Sequence, residues 1–210
     1  MKSATRHAYS MVARAEGMVA TRERIVRAAL TLALEQAYEE ITLAAIAEAA
    51  GVSHQTVLNH FESKEKVVAA AAEELSRETL AARDKAVAGD HPGAVAILVG
   101  EYERFGDANA RWALSSERLG SLAPLLNDAR AGHQAWLERI FSDVLPKTPV
   151  ARRRAIHALH AATDVYTWKL LRRDLRLTRE ETEKVIIDLV DGIATRRSAQ
   201  PAGRGRGRRR

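Results

Sequence analysis

The chain has 210 residues, of which 46% are hydrophobic, 5% are aromatic and none is cysteine. This length allows one or two domains with a sizeable core, and the lack of cysteine excludes a disulfide framework and a thiolate metal site. The formal net charge of +6 comes from the last fifteen residues, which hold seven arginines and no acid, while the rest of the chain balances 26 basic against 27 acidic side chains.

No run of about 18 apolar residues is present that could span a membrane. Near the N-terminus, Arg14 and Glu16 interrupt the apolar residues, so no signal peptide is predicted. We therefore expect a soluble, cytoplasmic protein without a membrane partner. Residues 1–20 are predicted to be a flexible lead-in.

An amphipathic helix is predicted over residues 22–37, followed by two shorter helices within residues 41–61. Thr42 and Ser53 stand where the N-caps of these two helices are expected, because their hydroxyls can accept from the free amides of a first turn. Gly51 follows the last periodic residue of the first short helix, where a left-handed conformation commonly ends a helix.

The second short helix has two different sides. Val57 and Phe61 lie one turn apart on one side, while Gln55, Thr56 and Asn59 cluster near the opposite side. A helix of about seven residues is roughly 10 Å long, close to the width of about 12 Å of the major groove of B-DNA. Glutamine and asparagine can bond an adenine edge, so the pattern predicts a helix-turn-helix motif whose second helix reads the groove.

The same segment resembles the DNA-binding motif of the tetracycline-repressor (TetR) family of transcriptional regulators. Two positions depart from the family pattern: Gln55 replaces the usual glycine or proline, and Leu58 replaces the usual tyrosine, which contacts a phosphate. The matching positions are Thr42, Ile46, Ala47, Ala50, Gly51, Val52, Ser53, Thr56, Val57, His60, Phe61, Ser63, Lys64 and Glu65.

The resemblance implies an all-α fold, with a three-helix helix-turn-helix DNA-binding head in residues 21–66 and a helical effector-binding and dimerisation domain in residues 67–195. It implies a homodimeric, ligand-responsive regulator, a repressor by expectation, which binds double-stranded DNA at a palindromic operator and is released by a small apolar or aromatic effector. Residues 196–210, rich in arginine and glycine, are predicted to be disordered. No cofactor and no enzymatic activity are expected.

Ten residues of the head are candidates for DNA contact. Gln55, Thr56 and Asn59 are assigned to base readout, with His54 flanking them and Leu58 in place of the tyrosine. The remaining candidates would position the head on phosphates, which sets its register without reading sequence; they are Arg22, Thr42, Ser53, His60 and Lys64.

Beyond the motif, a long helix is predicted from residue 64 towards residue 88, where the Gly and Pro residues of 89–93 interrupt the pattern. Further helices are predicted from a cap at Asp90 to residue 105, over 108–119, from after residue 121 to 144, and from 149 to about 173. Thr178 and Glu181 form a capping box that begins the last helix.

Seven aromatic residues lie in the second domain, and they either line an effector pocket or fill the core. The candidate pocket residues are six of these aromatic residues and two polar residues, namely Tyr102, Phe105, Trp112, His133, Trp136, Phe141, Asp164 and Trp168. The candidate residues of a dimer interface, for which intrachain core is the alternative, are Tyr166, Leu170, Leu189, Val190 and Ile193.

His157, His160 and Asp164 share one helical face, but no second cluster accompanies them, so no metal site is expected. An architectural DNA-binding protein that uses the heads and the arginine-rich tail without sequence choice is the alternative function. An enzyme is disfavoured, because the chain has no Gly-rich phosphate loop and no nucleophile motif.

Overall fold

The computed structural model describes the backbone of residues 2–114 and 120–195 and the side chains of residues 14–114, 120 and 122–194. Within these ranges every regular element is helical, which confirms the all-α prediction. The α-helices are α1 (Lys2–Glu35), α2 (Leu43–Ala50), α3 (His54–Phe61), α4 (Lys64–Arg83), α5 (His91–Leu114), α6 (Ala123–Ile140), α7 (Pro149–Thr163), α8 (Val165–Lys169) and α9 (Arg179–Thr195).

Two short helical segments complete the described chain. A 3-10 turn at Gly120–Leu122 precedes α6, and a π-helical segment at Leu170–Asp174 follows α8. The disordered tail predicted for residues 196–210 lies outside the described residues. None of the helices described is long and apolar enough to cross a membrane.

The chain divides into two compact units. The head unit comprises Met1–Thr79 and Arg111–Asn127, and the body unit comprises Leu80–Ala110 and Asp128–Arg210. The prediction placed a boundary after residue 66, whereas this division places it after Thr79 and adds to the head a segment that is distant in sequence.

The core of the head unit explains this difference. Val67, Val68 and Ala71 from the first turns of α4 are buried with the helix-turn-helix residues, and Leu122 joins them from after α5. Three helices alone would form too small a core, and these additions bury more apolar surface. The other buried members are Ile25, Val26, Ala28, Ala29, Ile41, Ile46, Ala47, Ala50, Val57 and Phe61.

Helix α1 begins at Lys2, so residues 2–20, for which a flexible lead-in was predicted, lie in this helix. This stretch is rich in good helix formers such as alanine, methionine and arginine, and it contains no proline. The side chains of residues 14–20 are exposed. The apolar periodicity that reveals a helix depends on a buried face, so it did not indicate this part of α1.

The caps of the helix-turn-helix are confirmed. The Thr42 hydroxyl accepts from the Ala45 amide at 3.1 Å, and the Ser53 hydroxyl accepts from the Thr56 amide at 3.1 Å. Gly51 is left-handed, with φ 64° and ψ 40°, and its amide donates to the Glu48 carbonyl. A residue with a Cβ would be strained at this turn.

The body unit has its own apolar core, to which α5, α6, α7 and α9 contribute. Helix α9 begins with the predicted capping box, since the Glu181 carboxylate accepts from the Thr178 amide at 2.8 Å and the Thr178 hydroxyl accepts from the Glu181 amide at 3.2 Å. The helix predicted from residue 149 to 173 is interrupted at Asp164, whose carboxylate caps α8 by accepting from the Tyr166 amide at 2.9 Å. A short polar side chain at this position competes with the helical hydrogen bonds.

Candidate nucleic-acid interface

Helix α3 presents two chemically different sides, as predicted. Val57 and Phe61 are buried in the head core, whereas His54, Gln55 and Asn59 are exposed. The cap at Ser53 fixes where the helix begins, and the buried pair fixes its rotation. The exposed polar side therefore faces away from the head with a defined register.

The two exposed amides on this side are joined. Gln55 Nε2 donates to Asn59 Oδ1 at 3.0 Å across one helical turn. The Thr56 hydroxyl lies 2.8 Å from the Ser53 hydroxyl, so it takes part in the cap. The Thr56 side chain is also partly exposed. Of the three predicted base-reading residues, Gln55 and Asn59 form a unit, and Thr56 is attached to the start of the helix.

The predicted phosphate-contacting residues hold positions at the ends of the motif. Thr42 and Ser53 are exposed at the two helix starts, where the amides of a helix N-terminus favour an anion. His60 and Leu58 are half-buried. The Arg22 guanidinium lies over the Phe61 ring, 4.7 Å from its centroid, which holds the arginine beside the end of α3.

Lys64 differs from its prediction as a phosphate contact. Its ammonium donates to the Tyr38 carbonyl at 2.9 Å and lies 4.0 Å from the centroid of the Tyr38 ring. The side chain is half-buried, and the carbonyl and the ring face compensate its charge within the head. Through these two contacts, Lys64 holds the start of α4 against the loop that follows α1. Burial and the hydrogen bond to Glu65 raise the pKa of Tyr38 to about 12.

The aromatic residues predicted to line an effector pocket do not form one group. Trp112 belongs to the head unit, where its indole Nε1 donates to the Ala33 carbonyl at 2.9 Å and its ring meets Tyr38 edge-on. Sequence spacing could not reveal this, because the contact joins residues 79 positions apart. The other five are buried in the body unit: Tyr102, Phe105, Trp136, Phe141 and Trp168.

A buried polar network lies among these aromatic residues. Arg83 forms a two-pronged ion pair with Glu101, with Nε–Oε2 at 2.7 Å and Nη2–Oε1 at 3.0 Å. Its Nη1 is 3.0 Å from His133 Nδ1, and His133 Nε2 is 3.0 Å from the Thr163 hydroxyl. Of these four residues, only His133 was among the predicted pocket residues.

The network has one consistent direction of hydrogen bonding. Arginine can only donate, so His133 Nδ1 accepts and Nε2 carries the proton of a neutral ring. That proton is donated to Thr163, whose hydroxyl in turn donates to the Leu159 carbonyl at 2.7 Å. Burial and the charge of Arg83 lower the pKa of His133 from 6.5 to about 2.

Asp164, a predicted pocket residue, is engaged with His160 on the preceding helix. The Asp164 carboxylate caps α8 and also lies 3.3 Å from His160 Nε2, so it faces its own helix junction rather than a pocket. His157 on the same helix is exposed. Among the residues with described side chains, no group of three His, Cys, Asp or Glu side chains could hold a metal ion.

The candidate dimer residues separate into exposed and buried ones. Tyr166, Leu170 and Leu189 are large apolar side chains that are 42%, 49% and 44% exposed. Val190 is fully buried in the body core, so its assignment to an interface is wrong, and Ile193 packs partly against the same core. The periodicity of α9 did not separate its core side from its outer side.

An ordered cluster holds the segment after α8 against α5. Trp168 Nε1 donates to Glu103 at 3.0 Å, and Arg172 forms a two-pronged ion pair with the same carboxylate at 2.6 and 2.8 Å. The Arg173 guanidinium lies 4.7 Å from the centroid of the Trp168 ring. The ring packs against Gly106, where a Cβ would lie 2.7 Å from Trp168 Cε3. Gly106 gave no turn signal in the sequence, because its role is this close approach.

Comparison with known proteins agrees with the geometry of the head. Residues 25–71 match the family model described as bacterial regulatory proteins, tetR family. The HTH-type transcriptional regulator TcmR of Streptomyces glaucescens is 40% identical over 72 residues, which cover 34% of this chain and 32% of TcmR. The match thus spans about a third of that curated relative.

Solved structures share the fold over most of the chain. A transcriptional regulator from Rhodococcus sp. Rha1 has a TM-score of 0.63 and 23% identity, covering 83% of this chain and 96% of its own. A tetR-family transcriptional regulator from Streptomyces coelicolor has a TM-score of 0.66 and 18% identity, covering 85% of both chains. The helix-turn-helix segment therefore matches the tetR family of bacterial regulatory proteins in sequence, and the helical architecture of the chain is similar to that of these solved regulators.

Proposed function

We propose that this chain is a homodimeric, ligand-responsive repressor of transcription that acts in the cytoplasm. It binds a palindromic operator in double-stranded DNA and is released by a small apolar or aromatic effector. The proposal goes beyond the family match, because that match covers residues 25–71 alone.

The exposed polar side of α3 is the observation that carries the proposal. His54, Gln55 and Asn59 project from a helix that is held to the head by Val57 and Phe61. Its eight residues span about 12 Å, which matches the width of the major groove. Base-reading side chains on a short, rigidly mounted helix favour sequence recognition over binding that depends on charge alone.

The surrounding residues would position the head on the sugar–phosphate backbone. The candidates are Arg22, Thr42, Ser53 and His60, which lie at helix starts or beside the end of α3. Residues 1–66 have eight basic and eight acidic side chains, so a general positive charge does not account for DNA binding. A small number of local contacts would set the register instead.

A dimer is proposed because one recognition helix contacts too few base pairs to select a single genomic site. Two heads related by a twofold axis require an operator that is an inverted repeat. The exposed apolar side chains of Tyr166, Leu170 and Leu189 support an interface on the body unit, with Ile193 at its edge.

The body unit is the proposed site of effector binding. His133 belongs to a polar network in which the charge of Arg83 is neutralised by Glu101, and its ring stacks on Trp136. Tyr102 is buried in the same unit. A ligand that enters this environment gains from apolar and aromatic contacts and finds no uncompensated charge, which favours a neutral effector. To release DNA, the effector must bind the released state more tightly than the DNA-bound state by several kcal/mol.

The test is footprinting of the full chain on the DNA upstream of its own coding sequence. We expect protection of one inverted repeat, and loss of that protection when an effector is added. Protection without any defined boundary would instead identify an architectural DNA-binding protein. Tryptophan fluorescence during addition of apolar and aromatic metabolites would detect the effector, with a Trp136→Phe variant assigning the signal to the body unit.

A further inference from the structure

The hydrogen bond between the two exposed amides of α3 has a consequence for base recognition. Gln55 Nε2 and Asn59 Oδ1 are 3.0 Å apart, and both side chains are exposed. We propose that the two residues act as one reading unit, in which Gln55 positions the Asn59 amide so that the pair recognises a single adenine in the major groove. This inference rests on the proposed DNA-binding function.

Hydrogen-bonding groups of both amides remain free after the two are joined. Gln55 uses one N–H to donate to Asn59, which leaves the Gln55 carbonyl oxygen as an acceptor and the Asn59 NH₂ group as a donor. If both amides are turned end for end, the bond is kept and the unit again presents a free acceptor and free donors. The outward chemistry is therefore the same for either assignment of nitrogen and oxygen.

Adenine is the base that this arrangement fits. Its major-groove edge presents the N6 amino group as a donor beside N7 as an acceptor. A unit with one acceptor and one donor satisfies both groups at once. Guanine presents two acceptors, N7 and O6, so only N–H groups of the unit could bond it, and the free carbonyl oxygen of the unit would have no donor to accept from. Cytosine offers the N4 donor, and thymine offers the O4 acceptor beside a methyl group.

The other side chains of α3 offer fewer exposed hydrogen-bonding groups for contact with a base than Gln55 and Asn59 do. Val57 and Phe61 are buried, the Thr56 hydroxyl is bonded to Ser53, and Leu58 has no polar atom on its side chain. His54 lies at the first position of the helix, towards its edge. The central exposed surface of α3 thus carries hydrogen-bonding groups chiefly through Gln55 and Asn59.

The bond also affects how much freedom is lost on binding. A free glutamine side chain has several rotamers, and fixing it against DNA costs conformational entropy. A bond at the i, i+4 spacing already restricts both amides in the unbound protein. Removing either amide therefore releases the other, and the effects of the two removals on adenine recognition should not add.

The test is a double-mutant cycle with the full-length chain and the operator defined by footprinting. The variants are Gln55→Met, Asn59→Leu and the double variant, which remove the amides and keep similar side-chain volumes. Gln134→Met in α6 makes the same chemical change in the body unit and serves as the matched control. Affinity is measured for the operator and for duplexes in which each adenine is replaced, one at a time, by guanine or by 7-deazaadenine, which lacks N7.

The wild-type chain should lose about tenfold or more in affinity when one particular adenine is altered. Each single variant should abolish that preference at the same position. The double variant should lose no more affinity for the operator than either single variant. Gln134→Met should bind like the wild type. Circular dichroism and thermal unfolding would establish that each variant is folded.

Two results would overturn the inference while leaving the proposed function intact. One is that Gln55→Met retains the adenine preference that Asn59→Leu abolishes. The other is that the two variants change preference at different base pairs with additive effects. A wild-type chain that protects no defined site would instead refute the proposed function itself, and the reading unit with it.

Discussion

His133 Nδ1 accepts a hydrogen bond from Arg83 Nη1 at 3.0 Å inside the body unit. This bond requires a neutral imidazole, because a protonated ring would carry N–H groups at both nitrogens and place one of them against the guanidinium. The nearby His160 ring, 4.8 Å away between centroids, disfavours a further positive charge as well. The ring thus stays neutral in the folded chain at any pH near neutrality.

Stability should therefore fall in mild acid. In the unfolded chain His133 takes up a proton below its ordinary pKa of 6.5, whereas in the folded chain burial and Arg83 hold the pKa at about 2. The unfolded state binds more protons between these values, so the free energy of unfolding is highest above pH 6.5 and falls as the pH decreases. From pH 7.5 to pH 5, we expect a loss of about 2 kcal/mol from this residue.

Urea unfolding at both pH values would measure this loss, with His133→Asn as the comparison. Asparagine can still accept from Arg83 through its side-chain oxygen but does not titrate in this range. The pH-dependent loss should be smaller in the variant by about 2 kcal/mol. Equal losses in the two proteins would show that His133 is not held neutral, whatever the other histidines contribute to both.

Glu101→Ala should be strongly destabilising. The change leaves the Arg83 guanidinium, which is 9% exposed, without its carboxylate partner. Removing one member of a buried ion pair costs about 3–5 kcal/mol, because the remaining charge stays desolvated. The control is Asp107→Ala, since Asp107 pairs with Arg173 in the same two-pronged way but is 53% exposed. That change should cost about 1 kcal/mol or less.

Chemical denaturation of the two variants gives the comparison directly. If Glu101→Ala lowered the free energy of unfolding as little as Asp107→Ala does, water or a rearranged side chain would have to solvate Arg83.

Gly106→Ala should destabilise the body unit through overlap with Trp168. The added Cβ would lie 2.7 Å from Cε3 of the ring. The ring cannot move easily, since its indole N–H is bonded to Glu103 and Arg173 covers its face. Overpacking of this kind costs about 1–3 kcal/mol. Gly132→Ala in α6 meets no atom within 4 Å and should instead stabilise by about 0.4–1 kcal/mol. Thermal unfolding of both variants would give opposite shifts, and shifts of the same sign would contradict the packing explanation.

The local features of the head were predictable from the sequence. Thr42, Ser53 and Gly51 act on residues within one turn of themselves, so residue type and spacing were sufficient to place the caps and the glycine turn. The polar and apolar sides of α3 followed from helical periodicity in the same way. Leu58, which replaces the tyrosine of the family pattern, is half-buried.

The features that were missed depend on partners far away in the chain. Arg83 meets His133 50 residues later, and Trp112 meets Ala33 79 residues earlier. In the sequence, Arg83 is a basic residue near the end of a long predicted helix, and such a side chain ordinarily faces solvent. Arg83 is buried because it packs against α5 and α6, and the periodicity within α4 does not reveal this packing.

Leu189→Asp should weaken self-association of the chain. Leu189 is 44% exposed on α9, and an aspartate there would place a charge in the proposed apolar interface. The control is Val150→Asp, which introduces the same charge on α7 at a side chain that is 74% exposed. Light scattering at micromolar concentration should give a dimeric mass for the wild type and the control and a lower mass for Leu189→Asp. A monomeric wild type would refute the dimer proposal.

Lys64→Met should lower the stability of the head and leave the salt dependence of DNA binding unchanged. The variant loses the bond to the Tyr38 carbonyl and the contact with the Tyr38 ring. Together these interactions are worth about 1–2 kcal/mol, because the donor is charged and half-buried. The control is Lys66→Met, since Lys66 is exposed and pairs with Glu62 at 2.5 Å on the surface, where a pair contributes about 1 kcal/mol or less. Each phosphate contact adds about 0.9 to the slope of log affinity against log salt concentration, so a slope reduced by that amount in Lys64→Met would restore Lys64 as a phosphate contact.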